Sequence, residues 1–148
     1  MTLGRVLVTT GEPQRLSELF AFLQTFWQEA GLPPGASFPF ELCLEEVFMN
    51  VVMHGTPEGA PPCRVEVNLD LEGDRVELCV RDDGMAFDPT GLASPDTTLP
   101  LEARETGGLG VLLIREMMED LSYRRHGDCN ELRMSRRVAV GGPASGGD

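Results

Sequence analysis

Residues 41–55 read ELCLEEVFMNVVMHG. With Phe40 in front, the apolar side chains of Phe40, Cys43, Leu44, Val47, Phe48 and Val51 recur at the spacing of one helix face, which predicts an amphipathic helix over 39–55. A second row, Glu46, Asn50 and His54, recurs every four residues and stacks along one side of that helix. This row borders the apolar face instead of opposing it, so it is half turned toward whatever the helix packs against. A carboxylate beside an amide in such a border offers hard oxygen ligands suited to magnesium. The same row equally suits a solvated helix face, and the neighbouring segments must decide between the two.

On the C-terminal side, CRVEVNLDLE (63–72) and RVELCVRDD (75–83) alternate apolar and polar residues about Gly73-Asp74, the pattern of an antiparallel hairpin. From Gly84 to Gly107 the chain is rich in Gly, Pro, Asp and Thr and has no periodicity; aperiodic stretches of this length inside a domain are usually functional. Helical spacing returns over 108–120, and a last hairpin is expected from 121–127 and 130–140. On the N-terminal side, RVLVTT (5–10) reads as a strand. Residues 13–30 read as a helix ended by Gly31 and two prolines. These elements predict an α+β fold, a two-layer α/β sandwich with a mixed sheet and helices on one face. A single domain is expected over 1–140, with a disordered tail over 141–148.

Composition narrows the chemistry. The 148 residues carry 24 acids and 12 bases, a net charge of −12, which disfavours nucleic acid and anionic membrane surfaces as partners. Every base is arginine, so a Walker A loop, Schiff-base chemistry and the eukaryotic-type kinase lysine are all excluded. Cysteines 43, 63, 79 and 129 form no Cys-x-x-Cys unit and read as buried thiols. No leader-like apolar core opens the sequence and no window is long enough to span a membrane, so a cytoplasmic location is expected.

Two further motifs flank the aperiodic stretch. In VRDDGMAFDPTG (80–91) a strand ends on Asp82, with Gly84 two residues on. A carboxylate at a strand end can accept a hydrogen bond from an exocyclic amine such as adenine N6, and a nearby glycine lets a flat ring approach the backbone. Asp-Asp-Gly is also ordinary turn chemistry. In ETGGLGVLLIREM (105–117) glycines 107, 108 and 110 open a helix whose free N–H groups can cradle phosphate. The spacing is not that of a dinucleotide fingerprint.

The order of these parts is similar to that of the GHKL ATPase family, whose ATP-binding (Bergerat) fold occurs in gyrase-type and histidine-kinase domains. ELCLEEVFMNVVMHG resembles the family's N box, VRDDGMAFDP its first glycine box, and TGGLGVLLIREMMEDLSY its second. The close likeness covers about residues 41–123. Within the family the chain looks closest to the bacterial anti-sigma factor serine/threonine kinases.

The resemblance implies ATP and a magnesium ion as cofactors and assigns roles residue by residue. Glu46 would polarise the attacking hydroxyl, and Arg104 would steady transferred charge. Asn50 would hold the metal. Asp82 would meet adenine N6 with Gly84 under the ring. Thr106, Gly107, Gly108, Leu109 and Gly110 would line the phosphates, and residues 88–106 would form a lid. Ala86 stands where the first glycine box usually has its second glycine; alanine disfavours positive φ, so the hinge would be altered if that region is required. The resemblance also implies a protein substrate, an anti-sigma factor antagonist phosphorylated on serine or threonine. It further implies a sigma factor as competing partner, and a homodimer. The alternative is a weakly or non-catalytic module of the same fold that sequesters a sigma factor or another regulator. A mechanical ATPase fits less well, since no transducer segment is present in the sequence.

Overall fold

The computed structural model describes residues 2–91 and 106–139, with 91 and 106–111 described by their backbone alone. Strand β1 (Thr2–Thr10) leads through a short 3-10 turn into helix α1 (Leu16–Ala30). A second 3-10 turn precedes α2 (Phe38–His54), and the hairpin β2 (Arg64–Glu72) and β3 (Arg75–Asp82) follows. Helix α3 (Thr106–Met117) and the hairpin β4 (Asp120–His126) and β5 (Cys129–Arg137) complete the order. The expected tail over 141–148 lies outside the described residues.

The five strands form one sheet in the order β1-β2-β3-β5-β4. Its α+β, two-layer character is the one expected, with one correction: all four pairings are antiparallel, so the sheet is not mixed at any described pairing. The reason is topological. The chain crosses over from β3 through α3 and lays β4 in the same direction as β3, but β5 folds back and inserts between them. The two parallel strands therefore never touch.

Residue alternation puts one sheet face against the helices. Val65, Val67, Leu69 and Leu71 of β2 are fully buried there, with Val76, Leu78 and Val80 of β3 and Leu132 and Met134 of β5. The helices cover that face with Leu19, Leu23, Phe26 and Trp27 of α1, Phe40, Leu44, Val47 and Phe48 of α2, and Ile114 of α3. Burying each such side chain contributes about 1.5–3 kcal/mol. Trp27 packs on Phe40 with ring centroids 5.4 Å apart and donates its indole N–H to Pro33 O at 2.7 Å. Gly31 ends α1 in the left-handed conformation (φ 68°), the helix stop expected from the sequence. Gly73 (φ 64°) and Gly127 (φ 55°) make the two hairpin turns.

The opposite sheet face carries a ladder of ion pairs. Arg81 reaches Glu66 at 2.9 Å and Glu131 at 3.2 Å, while Arg133 pairs with Glu131 and with Glu77 at 2.9 Å. These side chains lie across Cys79, which is buried although it points away from the helices. Burial pushes the Cys79 thiol up to about 11, and that of Cys43, inside the core, to about 12. Both therefore behave as small apolar residues and not as nucleophiles.

Candidate functional site

The site begins where β3 ends. Asp82 is the last residue of β3 and points to the helix side of the sheet, in register with Val65 on one neighbour and Asn130 on the other. It is 7% exposed. Its Oδ1 accepts from the Gly84 N–H at 2.9 Å and from Asn130 Nδ2 at 3.0 Å. Among the described residues, Oδ2 accepts no hydrogen bond. Burial raises the Asp82 pKa; the bonds from Asn130 and Gly84 and the charge of Arg125 pull it back, and Asp83 adds to the rise.

The segment after Asp82 is pinned from three sides. Met85 N–H donates to Gly55 O at 2.8 Å, which ties it to the end of α2. Arg125 of β4 donates to Gly84 O at 2.9 Å. Asn130 of β5 donates to Met85 O at 2.8 Å, and its Oδ1 accepts from Phe87 N–H at 3.4 Å and from the Tyr123 hydroxyl. Gly84 is required by close approach, because an added Cβ would stand 2.6 Å from Gly55 O and 2.8 Å from Gly55 Cα. The missing side chain faces the α2 terminus, so the glycine serves the junction of loop and helix. Ala86 is exposed, and no described non-glycine residue has positive φ. The alanine is thus accommodated without backbone strain.

Helix α2 supplies the facing wall. Asn50 is 7% exposed, and among the described residues its buried Nδ2 makes no hydrogen bond of full geometry, although it bears on the Glu46 carboxylate one turn earlier. Leaving such a group unsatisfied costs about 1–3 kcal/mol, so the position calls for a ligand atom. Turning the amide about its last bond presents Oδ1 in place of Nδ2. One turn earlier lies Glu46, half-buried, with its pKa raised by burial and by the neighbouring Glu45 and lowered in part by Asn50. His54, the third member of the row, stacks on Phe87 with centroids 4.4 Å apart and planes 12° from parallel. It braces the loop from outside.

Between these walls lies a narrow slot with room for about 30 Å³, lined by Asn50 and Asp82 together with Val47, Val51, Val80 and Leu132. Met85, Phe87 and Tyr123 close it on the loop side. An apolar slot with a few polar groups on its walls suits the edge of a flat heteroaromatic ring. Thr106, Gly107, Gly108, Leu109 and Gly110 form the opening of α3, whose first N–H groups have no partner within the helix. Helix α3 packs against α2, and Arg115 ties it to Thr90 O at 2.7 Å. Arg104 and most of the expected lid (88–106) lie outside the described residues.

A carboxylate with one unbonded oxygen and a buried amide thus border one apolar pocket, and a half-buried glutamate lies one helical turn from the amide. Residues 9–136 match the family described as the histidine kinase-like ATPase domain. The chain belongs to that family. It is 33% identical over 102 residues to serine/threonine-protein kinase BtrW of Bordetella bronchiseptica, covering 69% of this chain and 71% of that protein. It is 31% identical over 85 residues to serine-protein kinase RsbW of Bacillus cereus, covering 55% of this chain and 52% of that relative. The match thus spans about half the length of the Bacillus relative. In fold it is similar to a crystal structure of the RsbU and RsbW domains of a Mycobacterium tuberculosis protein, with a TM-score of 0.66 at 14% identity. That likeness covers 92% of this chain and 32% of the other.

Asn130 and Tyr123 are the site residues that sequence reading missed. Their signal was the alternation of β5 and β4, which turns Asn130, Leu132 and Met134 inward together. An asparagine on the buried side of a strand must have partners, and here its partner is the carboxylate across the ladder.

Proposed function

We propose that this chain is an ATP-dependent serine/threonine protein kinase of the anti-sigma factor type. It would transfer phosphate to a serine or threonine of an anti-sigma antagonist and bind a sigma factor in competition with it. The observation that carries the reading is the convergence of Asp82 and Asn50 on one pocket, each buried and each with an unfilled polar valence. Two named protein kinases among the relatives support the reaction class.

In this reading the apolar walls take up adenine and Asp82 Oδ2 accepts from its amine. The open N–H groups at the start of α3, from Thr106 to Gly110, hold the phosphates. Asn50 supplies an oxygen to the magnesium ion. An ion held there would supply neutralisation of the phosphate charge. Glu46 orients the attacking hydroxyl and accepts its proton; burial, by raising its pKa, makes it a better base than an exposed glutamate. Arg104 steadies the charge on the transferred group. Ala86 needs no left-handed backbone, which supports an intact hinge. A homodimer is proposed through the free edge of β1, where Val6 and Val8 are exposed.

Incubation with γ-labelled ATP, magnesium and a cognate anti-sigma factor antagonist tests the reading. Label on an antagonist serine or threonine is expected. Capture of a sigma factor with no label transferred would overturn the kinase assignment in favour of the binding module.

A further inference from the structure

We propose that Asn130 is a positioning residue for nucleotide recognition: it locks the Asp82 carboxylate so that Oδ2 alone faces the pocket as an acceptor. The inference rests on the proposed adenine site and adds a residue and a mechanism to it. Asn130 sits on β5 directly opposite Asp82 and is 5% exposed.

Its amide is fully committed. Nδ2 donates to Asp82 Oδ1 and Met85 O, at 3.0 and 2.8 Å. Oδ1 accepts from Phe87 N–H at 3.4 Å and from the Tyr123 hydroxyl. Two donors and two acceptor lone pairs are the whole capacity of an asparagine amide. A flipped amide would set oxygen against Asp82 Oδ1 and Met85 O, and N–H against the Phe87 N–H. Only one orientation therefore exists, and Tyr123 on β4 helps enforce it.

The consequence falls on Asp82. With Oδ1 held by two donors, the carboxylate cannot rotate to exchange its oxygens, and the two bonds offset part of what burial costs the charged form. Without Asn130, among the described residues the Gly84 N–H is the one bond left on that oxygen. The group then takes up a proton more readily and its plane is free to turn. The other titratable groups around it are Asp83 on its own chain, Arg125 of β4 and Cys63 before β2. His54 of α2 stands behind Phe87, and Glu46 lies farther along α2.

The test is calorimetric titration with ATP from about pH 5 to pH 8 on wild type, Asp82→Asn, Asn130→Ala and Tyr123→Phe. The nucleotide's own phosphates are the same in all four titrations, so differences among the profiles report on Asp82. At neutral pH, Asn130→Ala should bind roughly tenfold or more weakly, the loss expected for a hydrogen bond to a charged group. Its affinity should also begin to fall at a higher pH than that of wild type. Tyr123→Phe should shift the profile in the same direction by less. Asp82→Asn should be weak, without the pH-dependent step.

If Asn130→Ala and Tyr123→Phe keep the wild-type midpoint, whether at full or at uniformly reduced affinity, the positioning role is overturned. If Asp82→Asn itself matches wild type, the underlying adenine site fails instead, and the two failures are distinct. Should Asn130→Ala not fold, as judged by circular dichroism, Tyr123→Phe alone decides, since it removes one hydroxyl and leaves the ring packing in place.

Discussion

Replacing Asp82 with asparagine changes the pocket by one atom, and the surrounding bonds dictate where that atom goes. Oδ1 accepts from Gly84 N–H and from Asn130 Nδ2, at 2.9 and 3.0 Å, so the oxygen of the new amide must stay there. Its NH₂ is forced into the cavity. An incoming 6-amino purine then meets a donor with a donor. Losing a hydrogen bond to a charged group costs about 1.5–3 kcal/mol, so ATP affinity should fall roughly 10- to 150-fold. Inosine triphosphate carries a carbonyl at the same ring position and should lose much less, or gain, so the ATP-to-ITP preference narrows or inverts. The empty protein should move the other way. Burial raises the Asp82 pKa, so the ionised form works against the fold at neutral pH and wild-type stability recovers as pH falls through the folded-state value. The neutral amide removes that penalty, and a gain of about 0.5–2 kcal/mol in chemical denaturation at pH 7 is expected. Calorimetry with both nucleotides, beside urea melts, reads each effect. An Asp82→Asn protein that binds ATP as tightly as wild type would refute the reasoning.

Glu46→Gln should leave the ATP dissociation constant within about twofold while lowering phosphoryl transfer by ~10²–10⁴, because its role lies in the transition state; equal losses in both would place it in ground-state binding. Asn50→Ala should abolish the dependence of tight ATP binding on magnesium, seen by titrating with and without the ion; retained dependence would remove Asn50 as a ligand. Gly84→Ala drives a methyl group to 2.6 Å from Gly55 O and should destabilise the fold by about 1–3 kcal/mol in a thermal melt. On the outer face, burial raises the Glu131 pKa, but the bonds from Arg133 and Arg81 outweigh it and hold the carboxyl below its ordinary value. Its contribution is therefore complete above the unfolded-state pKa and lost as pH falls through the lower folded one. Glu131→Gln should cost roughly 1 kcal/mol at pH 7, discounted for the exposed arginines, and the difference from wild type should close below about pH 4.

Periodicity made most of the fold legible before any coordinates. The apolar stripe of α2 appears as read, and both hairpins turn on the glycines that mark them in sequence. Strand β1 is longer than expected, from Thr2 instead of Arg5, because it pairs with β2 along its whole length and no local signal records a distant partner. Likewise the sheet proved antiparallel throughout, since only the insertion of β5 beside β3 separates the strands that run parallel. Within the site, Asn50 and Asp82 were readable because each sits at a position set by its own element, a helix row or a strand end. Asn130 and Tyr123 were not, because their role exists only across the strand pairing that joins β3, β5 and β4. His54 lies in the same helical row as Asn50, yet its ring packs on Phe87.

The most direct measurement is a crystal structure of the protein soaked with magnesium and a non-hydrolysable ATP analogue. The adenine ring is expected between α2 and the sheet, with its amine on Asp82 Oδ2 and the metal on the Asn50 side-chain oxygen. Density for the base anywhere else, or an amine turned away from Asp82, would contradict this placement.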